Sequence, residues 1–342
     1  MSKTHRAFCL LSLLTLMLAC ADSETSCPEA NTSIDLSRDQ GPHDMLTEWW
    51  YTTGHLETEA GRAYGYELTI FQSWAGEQVG YVGHFAIIDP EAGEHIYAQT
   101  MSAPPERFDD YDIEVGHWRI WGDGEVDHFS ADIPTEGIAL SLSAENRKPT
   151  AFHNDIGLID MGRDDSFYYS KTRMDIEGEL TIDGQTHAVT GQGWLDHQWG
   201  DYAVFDCDGW DWFALQLDND HEFMIFLLHD LDGTTRITGV TWVDEKGCVH
   251  ALDDAQIVAL DEWTSPHTGG IYPQNWRVDI PEAELSIEVT AAVEDQEMDC
   301  RYTTLNAYWE GLVLLEGEMA GQPVSGRGFV ELAGYGPWGA GN

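Results

Sequence analysis

Side chains suited to acid–base chemistry are concentrated in one short stretch of the chain. A carboxylate, an imidazole and two indoles occur within residues 194–200, which read WLDHQWG. In a β-strand, alternate side chains project to opposite faces, so Asp196 would lie on one face and His197 with Trp199 on the other. This stretch is therefore the strongest candidate for a catalytic site.

A carboxyl group buried beside indole rings favours proton transfer to an alkene. Burial in an apolar cavity raises the pKa of a carboxyl group, so Asp196 would stay protonated near neutral pH. The resulting carbocation would be stabilised by about 0.5–2 kcal/mol on an aromatic face such as that of Trp199. Water oriented by His197 would then add to the cation. Asp211 and Asp230 are further candidates for the acid.

Aromatic side chains would form the walls of the binding site. The candidates for ligand contact are Trp50, Tyr51, Trp194, Trp210 and Trp212. An alternative interpretation needs no ligand. In it, Asp196 and His197 form hydrogen bonds across a domain junction, and the tryptophans fill hydrophobic cores.

Other reaction classes lack their usual sequence signatures. Several histidines are scattered without the spacing of metal ligands, namely His43, His55, His84, His153 and His187. The pattern Gly-x-Ser-x-Gly of a nucleophile elbow is also missing. The sequence therefore predicts neither a metal site nor a serine hydrolase.

The chain repeats itself, which predicts two copies of one fold. Residues 177–180 (EGEL) and 189–196 (VTGQGWLD) are echoed by residues 316–319 (EGEM) and 324–331 (VSGRGFVE). The aromatic run at 49–51 is matched more faintly by residues 210–213. We predict a first domain over residues 44–204 and a second over 205–342.

Each copy has the pattern of antiparallel β-structure. Around residues 64–70, aromatic and aliphatic residues alternate with small or polar ones, the period of a half-buried strand. Asp183-Gly184 is a strong hairpin signal, and no amphipathic helix of convincing length occurs. We predict an all-β fold of two barrels, a class in which about eight strands enclose one apolar ligand.

The amino terminus resembles an export signal. Lys3 and Arg6 precede an apolar run that is too short to span a bilayer, and Cys20 follows it as in a bacterial lipobox. We predict a signal peptide over residues 1–20, lipid attachment at Cys20 and a flexible tether over 21–43. The protein would then be exported and anchored in the cell envelope, with the periplasmic face of the outer membrane favoured. A plain cleavage site would instead release a soluble secreted protein.

Charge excludes one class of partner. The chain has 16 basic and 61 acidic residues and a formal net charge of −45. Phosphate backbones would be repelled, so nucleic acid is not an expected partner. Such a surface indicates adaptation to high salt, or simply an acidic secreted protein.

Cysteine usage agrees with an oxidising compartment. Beyond the signal and Cys20, four cysteines remain, namely Cys27, Cys207, Cys248 and Cys300. They allow one or two disulfides, whose connectivity the sequence leaves open.

Several motifs together resemble the hydroxyneurosporene synthase (carotenoid 1,2-hydratase) family, which includes kievitone hydratase and AttH-like lipoproteins. The motifs are EWWYTTGHL at 48–56, GRAYGYELT at 61–69, YYS at 168–170, GWLDHQWG at 193–200, DWF at 211–213 and GRGFVEL at 326–332. The resemblance covers residues 44–338 and implies two lipocalin-like domains. Gln198 replaces the glutamate of the family's Asp-His-Glu-Trp-Gly motif, which removes one ionisable group.

The resemblance implies hydration of a prenyl double bond without a cofactor. We therefore expect a lipoprotein that binds an isoprenoid or lipid-like molecule and hydrates it by acid catalysis from an aspartate. The alternative is a non-catalytic lipid-binding lipoprotein that serves an ABC-type export system, since one fold supports many functions.

Overall fold

The computed structural model describes residues 27, 30–75, 78–102, 108, 110–160, 165–202, 209–230 and 234–336. This part of the chain contains no α-helix, and therefore no helix that could cross a membrane. It is built from antiparallel strands, with three short 3₁₀ turns at Pro134–Glu136, His153–Asp155 and Pro281–Ala283. The prediction of an all-β fold is confirmed.

The first sheet contains twelve strands and the second contains ten. In the first sheet the strands are β1 (Thr47–Thr58), β2 (Ala63–Ala75), β3 (Gln78–Asp89), β4 (Glu94–Met101), β5 (Asp112–Val115), β6 (Trp118–Gly122), β7 (Val126–Ile133), β8 (Ile138–Asn146), β9 (Ala151–Phe152), β10 (Leu158–Asp160), β11 (Asp165–Ile182) and β12 (Gln185–Gly200). In the second they are β13 (Gly209–Leu217), β14 (Glu222–His229), β15 (Thr235–Val243), β16 (Val249–Leu252), β17 (Gln256–Thr264), β18 (Ile271–Ile280), β19 (Leu285–Ala291), β20 (Glu297–Cys300), β21 (Asn306–Met319) and β22 (Gln322–Ala333).

The two sheets follow the same internal order, as the sequence repeat predicts, except that the main path of the second sheet is one strand shorter. The first runs β4-β3-β2-β1-β12-β11-β8-β7-β6-β5, and the second runs β16-β15-β14-β13-β22-β21-β19-β18-β17. In both sheets the closing strand of the repeat lies beside its first strand. Tyr51 of β1 lies opposite Asp196, and Trp212 of β13 lies opposite Glu331, at equivalent places in the two copies.

Each sheet curls around its own hydrophobic core. Phe85 of β3 and Trp118 of β6 lie 5.8 Å apart between ring centroids, although their strands are far apart in the hydrogen-bonded order. In the second sheet, Phe213 of β13 and Trp276 of β18 meet at 5.6 Å. Large buried aromatic side chains fill both interiors. A third cluster lies between the domains and joins residues of both sheets, including Tyr51, Trp194, Trp212 and Phe329.

The segment before β1 belongs to the first domain from residue 34 onward. Ile34 packs into the core, and the indole Nε1 of Trp50 donates to the backbone oxygen of Gln40 at 2.9 Å. Cys27 is joined by a disulfide to Cys248 of the second domain. The segment predicted as a flexible tether, 21–43, is therefore packed over its second half, because its apolar side chains cover the core.

Some predictions concern residues outside the described ranges. The predicted signal peptide, Cys20 and Cys207 all lie there, as does the domain boundary at residues 204–205. The first sheet ends at Gly200 and the second begins at Gly209, on either side of that boundary. Among the described cysteines, Cys300 is free and buried.

Candidate functional site

The neighbouring residues Asp196 and His197 project from opposite faces of strand β12. Trp194 belongs to the cluster between the domains, and Asp196 hydrogen-bonds there. Leu195 and Trp199 belong to the core of the first domain, where the ring of His197 stacks on Trp50. Asp196 and His197 therefore act in different environments, as the alternation of a strand requires.

Asp196 is buried at the domain interface and accepts three hydrogen bonds. Its Oδ1 accepts from the indole Nε1 of Trp194 at 2.5 Å and from the hydroxyl of Ser170, and its Oδ2 accepts from the hydroxyl of Tyr168. Burial raises the pKa of Asp196 to about 7, because desolvation outweighs these three stabilising donors. Both protonation states of this carboxyl group are therefore populated near neutral pH.

The hydrogen bonds of Asp196 continue into the second domain along two routes. The indole of Trp212 donates to the hydroxyl oxygen of Tyr168 at 3.0 Å. On the other side, His153 Nε2 lies 2.7 Å from the Ser170 hydroxyl, and His153 Nδ1 lies 2.8 Å from the hydroxyl of Thr241. Burial lowers the pKa of His153 to about 3, so its ring is neutral. The network links the two domains through buried polar contacts.

A second group of acids lies at the same interface. Glu67, Glu310 and Glu331 come from both domains, and Tyr51 donates its hydroxyl to Glu310 Oε1 at 2.8 Å. Burial, together with mutual repulsion, raises the pKa of Glu67 and Glu310 well above the ordinary value. Burial likewise raises the pKa of Glu331 to about 7, although a hydrogen bond with Trp210 opposes the shift. Burial therefore favours the neutral, protonated form of all three carboxyl groups.

A cleft of about 1130 Å³ opens between the domains. Its walls include His55, Arg173 and Gln192 from the first domain and Gln216 and Arg327 from the second. This volume is slightly larger than the roughly 300–1,000 Å³ of typical small-molecule sites. The cleft therefore has room for a molecule of drug or lipid-fragment size.

A narrow gap of about 10 Å³ continues the cleft toward Asp196. The gap shares His55 and Gln216 with the cleft, and its other walls include Ala214, Phe329 and Trp194. Trp194 is the residue whose indole contacts the carboxyl group of Asp196. In this conformation the gap is close to the size of a single water molecule.

His55 is a buried polar side chain at the junction of cleft and gap. Its Nδ1 atom has no hydrogen-bond partner within the described residues. Burial lowers the pKa of His55 to about 3, and the charges of Arg327 and Arg173 add to the effect. The neutral imidazole therefore presents an unsatisfied nitrogen beside the entrance to the gap.

His197 and Trp199 lie together but away from the cleft. His197 Nε2 lies 2.8 Å from Glu48 Oε1, and His197 Nδ1 lies 3.2 Å from the hydroxyl of Tyr169. Burial lowers the pKa of His197, and its ring centroid is 4.5 Å from that of Trp199. His197 is fully buried, Trp199 is 2% exposed, and neither lines the cleft or the gap. The structure therefore does not place His197 where it could orient water beside Asp196.

Asp211 faces the interior of the second domain. It accepts a hydrogen bond from the hydroxyl of Tyr335 at 2.8 Å and pairs with His229 Nε2 at 3.3 Å. That contact raises the pKa of His229. Asp230 follows the end of β14, and neither aspartate lines the cleft or the gap. Of the candidate acids, Asp196 is the one in contact with a residue of the gap.

The predicted ligand-binding aromatics also divide between two places. Tyr51, Trp194, Trp210 and Trp212 lie between the domains, whereas Trp50 packs inside the first domain. Sequence reasoning missed Glu48, Glu67, Glu310 and His55. Glu331 could have been predicted from the sequence, because the repeat aligns it with Asp196. The other four residues lie on strands that pair with distant parts of the chain, so their neighbours could not be predicted from the local sequence.

Comparison with known proteins agrees with this architecture. A family model described as AttH-like matches residues 27–335. An AttH crystal structure from Nitrosomonas europaea superposes with a TM-score of 0.81 at 27% identity, covering 89% of this chain and 98% of that one. No curated protein matches the sequence.

Two more distant structures share the fold. Kievitone hydratase from Nectria haematococca superposes with a TM-score of 0.73 at 17% identity, covering 88% of this chain and 92% of the other. CghA superposes with a TM-score of 0.58 at 11% identity, covering 90% and 95%. The motifs, the duplicated sheets and the family match agree, and the chain belongs to the AttH-like family.

Proposed function

We propose that this protein binds an isoprenoid or lipid-like molecule between its two domains and adds water to one of its carbon–carbon double bonds. The observation that carries the proposal is the position of Asp196. This buried carboxyl group, with a pKa of about 7, accepts a hydrogen bond from Trp194, a residue that lines the interdomain gap. A group of that kind is able to donate a proton in an environment that excludes bulk water.

The reaction needs only a proton and water. The proton of Asp196 forms a bond to one alkene carbon as the π bond breaks, which leaves a tertiary carbocation on the other. Water adds to the cation and loses a proton to the Asp196 carboxylate, so the acid is regenerated. The indoles of Trp194 and Trp212, 6.2 Å apart and edge to face, present aromatic surfaces for the cation.

Access to Asp196 requires movement. A gap of about 10 Å³ is too small for a prenyl group, so Trp194 or the domains must shift when the ligand enters. The polar cleft beside the gap would hold the rest of the molecule. Its neutral His55, whose Nδ1 atom has no partner among the described residues, would hydrogen-bond a polar end group.

Turnover by two matched variants tests the proposal. Purified protein is incubated with prenyl alkenes, and tertiary alcohol products are measured by mass spectrometry. Asp196→Asn should lower turnover by about 100-fold or more, since general acid catalysis contributes roughly that factor. Asp211→Asn, a change outside the interface, should retain wild-type turnover. Equal turnover by wild type and Asp196→Asn would refute the assignment.

A second candidate function is non-catalytic lipid binding in support of an ABC-type exporter. The observation in its favour is that Asp196 is saturated with donors and linked to Thr241 and Trp212, an arrangement suited to holding the domains together. This alternative predicts a co-purified lipid that is recovered chemically unchanged after incubation. Conversion of that lipid would count against it.

We further propose export and anchoring through Cys20, as the amino-terminal sequence indicates. Cys20→Ala should move the protein from the membrane fraction to the soluble fraction of the cell envelope. A membrane-bound Cys20→Ala protein would contradict lipid attachment at this residue.

A further inference from the structure

Three metal-binding side chains meet on the face of β12 opposite to Asp196. The ring atom His43 Nδ1 lies 2.7 Å from Glu48 Oε1, and His197 Nε2 lies 2.8 Å from the same oxygen. All three candidate ligand atoms are within 4.8 Å of one another. We propose that His43, Glu48 and His197 bind a divalent transition-metal ion, with Zn²⁺ the best fit.

The donor set selects the metal. Two imidazole nitrogens and one carboxylate oxygen suit zinc, whereas magnesium and calcium prefer oxygen ligands alone. Zinc binds each such ligand at about 2.0–2.2 Å. Neighbouring ligand atoms around one tetrahedral ion are then roughly 3.3 Å apart. To admit the ion, each imidazole nitrogen would move about half an ångström away from Glu48 Oε1, and the two nitrogens, now within 4.8 Å of each other, would adopt roughly the same 3.3 Å spacing.

Hydrogen bonds from neighbouring residues already orient these ligands. The hydroxyl of Tyr169 lies next to His197 Nδ1, which leaves Nε2 directed at Glu48. Glu48 Oε2 accepts from the backbone N–H of His43 at 2.8 Å and from Gln72 Nε2 at 2.9 Å. Partners of this kind fix the tautomer and the direction of metal ligands.

His43 provides both access and freedom to move. It lies in the segment before β1, its side chain is 19% exposed, and its ring stacks on Trp199 at 4.3 Å. Asp39 Oδ1 lies 3.5 Å from His43 Nε2, the arrangement of a carboxylate behind a metal-bound histidine. His43 is therefore the most exposed of the three proposed ligands.

The sequence could not reveal this site from spacing. His197 lies 149 residues from Glu48, and the two are brought together because β12 pairs with β1. The prediction that the histidines form no metal site was based on their local spacing in the sequence alone. His43 and Glu48 are close in sequence, but the third ligand is contributed by a distant strand.

Zinc titration of the full chain tests the proposal. After treatment with a chelator, isothermal titration calorimetry in high salt should show saturable binding of one Zn²⁺ per chain. High salt suppresses diffuse binding to the acidic surface. His43→Ala and Glu48→Gln should each weaken the affinity by at least about tenfold. The matched control His267→Ala, which removes an exposed histidine paired with Asp295, should bind as wild type does.

A second measurement separates metal binding from misfolding. At one zinc concentration, zinc should raise the melting temperature of wild type and of His267→Ala by the same amount, and that of folded His43→Ala by less. Wild-type affinity in His43→Ala, or no saturable binding by the wild-type chain, would overturn the proposal. The site does not include Asp196, so hydratase activity and zinc binding succeed or fail independently.

Discussion

At the scale of single residues, the environment of each acid decides what it can do. Asp196 and Asp211 are both buried, but Asp211 pairs with His229 whereas Asp196 is surrounded by neutral donors. Strand alternation was enough to predict that Asp196 and His197 face opposite ways. The partners of Asp196 were not predictable, because Ser170 and Tyr168 reach it through the pairing of β11 with β12.

The raised pKa of Asp196 predicts a specific pH dependence of stability. The folded protein holds this proton up to about pH 7, whereas the unfolded chain releases it near the ordinary aspartate value. The folded state therefore binds more protons between about pH 4 and 7, so the stability contributed by this group is lost as the pH rises through that window. As the pH rises from about 4 to 7, wild type should become progressively less stable relative to Asp196→Asn.

Urea unfolding of both proteins from pH 4 to 8 measures that difference. The comparison between proteins matters, because buried histidines such as His55 and His153 have lowered pKa values and give a slope of the opposite sign. Because both proteins contain these histidines, their contributions to the pH dependence cancel in the comparison. Parallel stability curves would mean that Asp196 ionises normally in the folded state.

At the scale of elements, the repeated glycines have a packing reason. A Cβ atom added at Gly191 would lie 1.8 Å from the backbone oxygen of His55 on the neighbouring strand β1. In the second copy, a Cβ at Gly326 would lie 2.3 Å from the backbone oxygen of Gln216 on β13. The sequence motif Gly-x-Gly therefore marks a close approach of two strands, and its repetition identified the matching strands of both sheets.

Gly191→Ala should lower the free energy of unfolding by about 1–3 kcal/mol or more, the effect of forcing atoms into a packed site. Gly80→Ala is the control, because a Cβ at that strand position meets no atom within 4 Å. Thermal or urea denaturation compares the two variants with wild type. A Gly191→Ala protein as stable as Gly80→Ala would show that the strands separate easily at this point.

The sequence predicted strands better than it predicted their extent or their lateral partners. Alternation and the Asp183-Gly184 turn indicate β11 and β12 correctly, because both signals are local. The packing of residues 34–43 against the first domain was missed. A polar composition indicates a tether, but the few apolar side chains, Ile34 and Leu36 among them, contact the core.

At the scale of the whole molecule, two similar domains are joined through a polar and aromatic interface. Buried acids from both domains meet there, and the disulfide between Cys27 and Cys248 links the amino-terminal segment to the second domain. Duplication explains why the acids are paired, since Asp196 and Glu331 occupy equivalent positions opposite aromatic residues. The interdomain cleft, absent from either domain alone, gives the molecule its candidate binding site.

The most direct test of this account is to run the reaction in heavy water with a prenyl alkene. Wild type and Asp211→Asn should give a tertiary alcohol carrying one deuterium on the carbon next to the alcohol carbon, because the proton on Asp196 exchanges with solvent before transfer. Asp196→Asn should give almost none. Deuterated alcohol formed at the wild-type rate by Asp196→Asn would contradict the assignment of Asp196 as the proton donor.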